Sequence, residues 1–262
     1  MKYRKLGKSG LKISELSFGS WVTFNKQVDS GLAERMFGTC FDAGVNFFDN
    51  AEGYEAGESE IVMGKALSAL NRPRDSYCVS SKVFFGSNKK PSPTQIGLSK
   101  KHVTEACHQA LKRLQVDYLD LYFCHRADPD TPIGETVWAM HNLITQGKIL
   151  YWGTSEWTAE EITEAYEFAE KNHLSPPTME QPQYNLLDRK RFEKEFSGLF
   201  VIPDYFNFFQ KNRVYFKNRI WFNNDNNSKT VNDTLTEIHN AGAKNIFLKM
   251  DIETAEYKVL DD

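Results

Sequence analysis

Apolar and polar positions follow two alternating rhythms along the first three-quarters of the chain. Short runs rich in aromatic and β-branched residues predict strands at Leu16–Gly19, Val45–Phe48, Tyr77–Ser81, Tyr118–Phe123, Ile149–Trp152 and Thr178–Gln181. Between them lie stretches with helical spacing. Leu32, Met36, Phe37, Cys40 and Phe41 predict a helix over Gly31–Ala43, and Ile61, Val62, Ala66, Leu67 and Leu70 predict one over Glu58–Leu70. Val103, Ala106, Cys107, Ala110, Leu111 and Leu114 mark a third, and Glu135–Gln146, closed by Gly147, is a fourth. Thr158 and Glu161 form a capping box for a fifth, with Ile162, Ala165, Tyr166 and Ala169 facing inward, and Asp188 is placed to cap another. Ahead of all these, Tyr3–Ile13 reads as a hairpin turning at Gly7–Gly10.

Strand and helix thus alternate about six times, which predicts a parallel sheet. No G-x-G-x-x-G follows an early strand, which counts against an open dinucleotide-binding sheet. The polar residues that end the strands point to a closed architecture instead. Asp49, Lys82, His125, Ser155 and Gln181 each stand at or near the carboxyl end of a different strand, and Tyr54 lies in the loop just beyond Asp49. A (β/α)8 barrel of the TIM type gathers such ends onto one face.

Composition narrows the partners. Of the residues, 40% are hydrophobic and 26% charged, an ordinary globular balance, and the net charge of -3 gives no reason to expect nucleic acid or an anionic membrane. No apolar run approaches the ~20 residues of a membrane span, and the basic start lacks an apolar signal region. Cys40, Cys78, Cys107 and Cys124 lack metal-type spacing and sit in apolar runs, as reduced core residues of a cytoplasmic protein would. No metal site is expected.

Taken singly, Lys82 reads as a solvated strand end and His125 as a structural histidine; taken together the residues describe a reaction. A phenol is a poor acid at neutral pH, with a pKa of about 10. A neighbouring ammonium stabilises its phenolate, and a carboxylate keeps that ammonium charged and oriented. An imidazole can donate a further hydrogen bond to the same substrate oxygen. Tyr54, Lys82, Asp49 and His125 could therefore polarise a carbonyl and protonate the alkoxide formed when hydride adds to its carbon. Trp21, Phe85 and Trp157 are candidates for an aromatic-lined pocket.

The segments Y-R-x-L-G-x-S-G-L-K-I-S, F-D-N-A-E-G-Y, S-S-K-V-F-F-G, L-S-K-K-H-V, D-Y-L-D-L-Y-F-C-H-R, Y-W-G-T-S-E-W and E-Q-P-Q-Y-N-L-L occur in this order. Through them residues 1–199 resemble the aldo-keto reductase superfamily, in the branch that includes voltage-gated potassium channel beta subunits and bacterial reductases. The resemblance implies an NADPH-dependent reductase of a small aldehyde or ketone, with Asp49, Tyr54, Lys82 and His125 as catalytic tetrad and Tyr54 as general acid. It places Ser20, Trp21 and Gln27 along the cofactor, with Asp49 beside it, and Ser155, Glu156 and Gln181 at the nicotinamide carboxamide. Channel subunits often carry Asn in place of His125 and a base in place of Glu156, so both residues lean toward the reductases. The alternative is a regulatory or binding subunit like the channel betas.

Past Leu199 the pattern changes. The family's seventh and eighth strands, with their phosphate-binding loops, have no counterpart in the sequence. Residues from about 229 to 262, in N-I-F-L-K-M-D-I-E-T-A-E-Y-K-V-L, resemble instead a fragment of FkbM-type methyltransferases without a glycine-rich S-adenosylmethionine loop. The expectation is a truncated barrel over 1–199 joined to a methyltransferase-like segment over 200–262. Its reductase activity would be impaired by the missing strands, or absent if the fusion has no function. Its open edges invite homo-oligomers or domain swapping, and Asn245–Met250 is the one good strand candidate in the tail.

Overall fold

The computed structural model describes residues 1–21, 30–185 and 188–199. The chain divides into two units, Met1–Val201 and Ile202–Asp262, and all described residues belong to the first. The tail strand expected at Asn245–Met250 lies outside the described residues.

The chain opens with an antiparallel hairpin of β1 (Tyr3–Lys5) and β2 (Lys12–Ser14). Six parallel strands follow in chain order: β3 (Phe18–Gly19), β4 (Phe47–Asp49), β5 (Cys78–Val83), β6 (Leu119–Cys124), β7 (Ile149–Thr154) and β8 (Met179–Glu180). Helices α1 (Ser30–Asp42), α2 (Glu58–Leu70), α3 (Lys100–Leu114), α4 (Ile133–Thr145) and α5 (Ala159–Lys171) fill the crossovers, and α6 (Lys190–Glu193) follows β8. The result is a curled, parallel half-barrel. Among the described residues β3 pairs only with β4, and β8 only with β7.

The period of two along each strand divides the core in two. Phe48, Val79, Tyr122, Cys124 and Trp152 face outward and pack under the helices. Phe47, Cys78, Leu121, Phe123 and Met179 face inward, where Leu6, Leu11 and Ile13 of the hairpin segment pack against them. The hairpin plugs the amino-terminal end of the sheet, which leaves the carboxyl ends for chemistry. Gly153 is set by this packing: a Cβ there would lie 2.2 Å from the Met179 carbonyl oxygen on β8.

Observed ends shift by a few residues where caps or pairing override the apolar pattern. Helix α3 starts at Lys100 because Ser99 caps it, accepting from the His102 amide at 3.3 Å. Strand β5 continues through Lys82 to Val83 because Lys82 and Val83 pair with Phe123 and Cys124. Asp188 does not cap α6. The helix starts after Arg189 with no side-chain cap, and the Asp188 amide instead donates to Asn185 Oδ1 at 2.9 Å. Cys78, Cys107 and Cys124 are buried free thiols, and Cys40 is a half-buried one. Among the described residues no helix is long and apolar enough to cross a membrane.

Candidate active site

Three successive strand ends converge at the mouth of the half-barrel. Asp49 ends β4, Lys82 lies one residue before the end of β5, and His125 directly follows β6. Tyr54 begins a tight turn over Tyr54–Gly57, in the loop after β4, in which Glu55 and Ala56 take left-handed φ values of 47° and 55°. Lys82 Nζ donates to Asp49 Oδ2 at 2.6 Å, to the Asn50 carbonyl at 2.9 Å and to the Tyr54 hydroxyl at 3.2 Å. Ser80, two residues earlier on the same face of β5, donates its hydroxyl to Asp49 Oδ1 at 2.5 Å. Both carboxylate oxygens are thereby fixed.

The Lys82 side chain is 1% exposed. Burial on its own would drive the ammonium toward its neutral form, but Asp49 and Tyr54 outweigh that, and its pKa is raised above the ordinary value. His125 behaves in the opposite way. Burial first, then the Lys82 and Arg126 cations, lower its pKa to about 3. Its ring meets Tyr54 and Phe85 edge to face, with centroids 5.8 and 5.1 Å apart. Nδ1 is buried without a hydrogen-bond partner among the described residues. Trp21 and Phe85 are about half exposed and flank this cluster, the Trp21 ring 6.3 Å from that of Tyr54.

The expected cofactor residues divide. Ser20 is fully buried at the end of β3 and donates to the Asp49 carbonyl at 3.1 Å. Ser155 follows β7 and donates to the Gln181 carbonyl at 3.0 Å, which brings these two residues together. Gln181 is half-buried. Glu156, with a left-handed φ of 60°, sends its carboxylate to the Gln183 amide and to Arg191, the latter at 3.0 Å. That carboxylate is already occupied. Gln27 lies outside the described residues. Trp157 does not line the mouth: it is 1% exposed and belongs to the core beneath the helices.

Two groups beside the site were not singled out from sequence. Ser80 was detectable, because residues two apart on a strand share a face and Lys82 was already placed. Glu52 was not, since its partners come from a distant loop and from α3. Among the described residues no group of three or more His, Cys, Asp or Glu is placed to hold a metal ion.

A parallel α/β half-barrel with its ionisable groups at the carboxyl ends of the strands is of the TIM-barrel class, incomplete over the described residues. Residues 15–200 match the aldo/keto reductase family, and the chain belongs to it. It is 49% identical over 201 residues to an Arabidopsis thaliana protein described as a probable voltage-gated potassium channel subunit beta; the match spans 77% of this chain and 60% of that protein. A protein of the same description from Oryza sativa subsp. japonica is 48% identical over 200 residues, 76% of this chain and 60% of its own length. The chain therefore spans about 60% of the length of these relatives. Residues 201–262 fall outside the family match.

Proposed function

We propose that the chain reduces a small aldehyde or ketone to the alcohol, with NADPH as reductant and Tyr54 as general acid. One observation carries this reading: a fully buried, charged Lys82 held between Asp49 and the Tyr54 hydroxyl. The ammonium stabilises the phenolate left when Tyr54 gives up its proton, and Asp49 keeps Lys82 charged and aimed. His125 cannot supply that proton, because with a pKa near 3 it is neutral at neutral pH. It acts as a neutral donor to the carbonyl oxygen. With Nδ1 sealed off, the ring works through Nε2.

The donor set fits a nicotinamide. The adjacent Ser155 and Gln181 offer a hydroxyl and a side-chain amide for its carboxamide, while Ser20 and Trp21 stand beside Asp49 and Tyr54 for its ring. When bound, the reduced cofactor supplies the hydride. The role of Glu156 is to brace the Ser155 turn against Arg191. In this reading residues 1–199 form the barrel part and 200–262 a separate, methyltransferase-like segment.

The test is NADPH oxidation with several small aldehydes, comparing wild type with Tyr54→Phe. Loss of a positioned general acid lowers the rate about 100- to 10,000-fold. Equal rates in the two proteins, or no turnover by either, would refute the proposal. The descriptions of the two plant relatives favour a second reading, a regulatory subunit that associates with a membrane channel. A stable partner with no turnover on any carbonyl would support it.

A further inference from the structure

Glu52 lies three residues past Asp49 and has no part in the chemistry above, yet it is buried in a ring of hydrogen bonds and one ion-pair contact around Phe85. Its amide donates to the Lys82 carbonyl at 3.1 Å. Its Oε1 accepts from the amides of Phe84 and Gly86, at 2.8 and 2.9 Å, so one carboxylate oxygen grips the backbone on both sides of Phe85. Oε2 faces His102 Nε2 at 3.4 Å, with the two side chains 2% and 5% exposed. His102 Nδ1 faces the Gly97 carbonyl at 2.8 Å, and the Gly97 amide returns to the Phe84 carbonyl at 2.8 Å.

The chemistry of this circuit assigns one of its protons. A carbonyl oxygen only accepts, so His102 Nδ1 carries a hydrogen and donates it to Gly97. Nε2 lies 3.4 Å from the Glu52 carboxyl group, close enough for that group to favour the charged ring. Burial works against that charge, while Glu52, the Gly97 carbonyl and Glu105 more than restore it and raise the His102 pKa. Such an ion pair is costly to remove from water, and what it holds is the backbone around an exposed ring. Phe85 is 47% exposed, and its ring packs edge-on to His125 and to Phe84, with the Arg126 guanidinium 5.8 Å from its centroid. A half-exposed aromatic with so few neighbours stays in place only if its backbone is fixed.

We propose that Glu52, braced by His102, is a positioning residue that holds Phe85 as the wall of the mouth beside His125. It thereby gives the site a preference for carbonyls carrying a flat aromatic group. The proposal rests on the carbonyl-reductase reading.

The 262-residue protein and its Glu52→Ala, Glu52→Gln and Phe85→Ala variants are assayed with benzaldehyde and with propanal. Loss of one aromatic contact in the mouth raises KM for benzaldehyde about three- to tenfold more than KM for propanal in Glu52→Ala and Phe85→Ala. Glu52→Gln keeps an acceptor oxygen for both amides and restores most of the benzaldehyde KM. An unchanged benzaldehyde KM in Glu52→Ala overturns the proposal, as does an equal loss for both aldehydes that Gln does not repair. Should Glu52→Ala not fold, His102→Gln is expected to show the same split, and its absence is equally decisive. A second readout does not need turnover. The His125 ring protons feel the Phe85 ring, so their NMR shifts should move in the same sense in Phe85→Ala and Glu52→Ala. A stationary His125 signal in Glu52→Ala refutes the positioning role. If the wild type reduces nothing, the reductase reading fails, and the NMR result still decides the positioning.

Discussion

His125 is kept neutral first by burial and then by two cations, one of them the Lys82 that the proposed reaction needs. Burial, Lys82 and Arg126 hold its pKa near 3, against an ordinary value of 6.5. Between those values the unfolded chain binds a proton that the native site refuses, so stability is present above about pH 6.5 and is lost as pH falls toward 3. Each unit of pH crossed in that window costs about 1.4 kcal/mol from this residue. Urea unfolding of wild type and His125→Asn at about pH 6.5 and about pH 4.5 should show the wild type losing about 1–3 kcal/mol more over the interval. Equal losses would mean that His125 is not held neutral.

At the scale of the element, β8 carries an opposite burden. Glu180 sits beside Thr154 in the β7–β8 register, on the outward face. Its carboxyl lies near the Thr154 hydroxyl and the amides of Glu156 and Trp157, but makes no well-formed hydrogen bond with any of them. Burial pushes its pKa up to about 7. A carboxyl whose native pKa is raised binds more protons when folded, so stability falls as pH rises from about 4.5 to about 7. Glu180→Gln should therefore be more stable than wild type by about 1–3 kcal/mol at about pH 8, and close to it at about pH 4.5. A variant less stable than wild type at the higher pH would show that the ionised carboxylate is well satisfied.

The elements also explain what the sequence could reveal. Helix α2 falls at its expected bounds, Glu58–Leu70, because its apolar spacing and its packing agree. Lys82, Asp49, Tyr54 and His125 were legible because each polar residue stands at or just beyond the end of an apolar strand, and the barrel rule converts strand ends into neighbours. Trp157 misled for the opposite reason. Its position after Ser155 suggested the mouth, but the left-handed turn at Glu156 sends the chain back under the helices. The His102–Glu52 pair gives no local signal, since it joins residues fifty positions apart.

For the whole molecule, the family match ends at residue 200 while the relatives' own chains are longer. The proposed catalytic groups all lie on β4 to β6 and their loops, well inside the match. The resemblance drawn from the sequence implies that groups for a cofactor's phosphates come from beyond the match. Each charge-assisted hydrogen bond to a phosphate is worth about 1.5–3 kcal/mol, so the loss of two or three weakens binding by roughly a hundredfold or more. Fluorescence titration of the 262-residue chain should therefore give an NADPH Kd in the micromolar range or weaker. A submicromolar Kd would show that residues 200–262 supply phosphate contacts.

The central claim, hydride addition to a carbonyl with Tyr54 as acid, is tested most directly by isotope transfer. NADPH carrying deuterium at the transferable nicotinamide position is incubated with benzaldehyde and the protein, and the alcohol is analysed by mass spectrometry. The account predicts one deuterium on the carbinol carbon with wild type and a yield at least about 100-fold lower with Tyr54→Phe. No labelled alcohol from the wild type, or equal labelling by the two proteins, would contradict it.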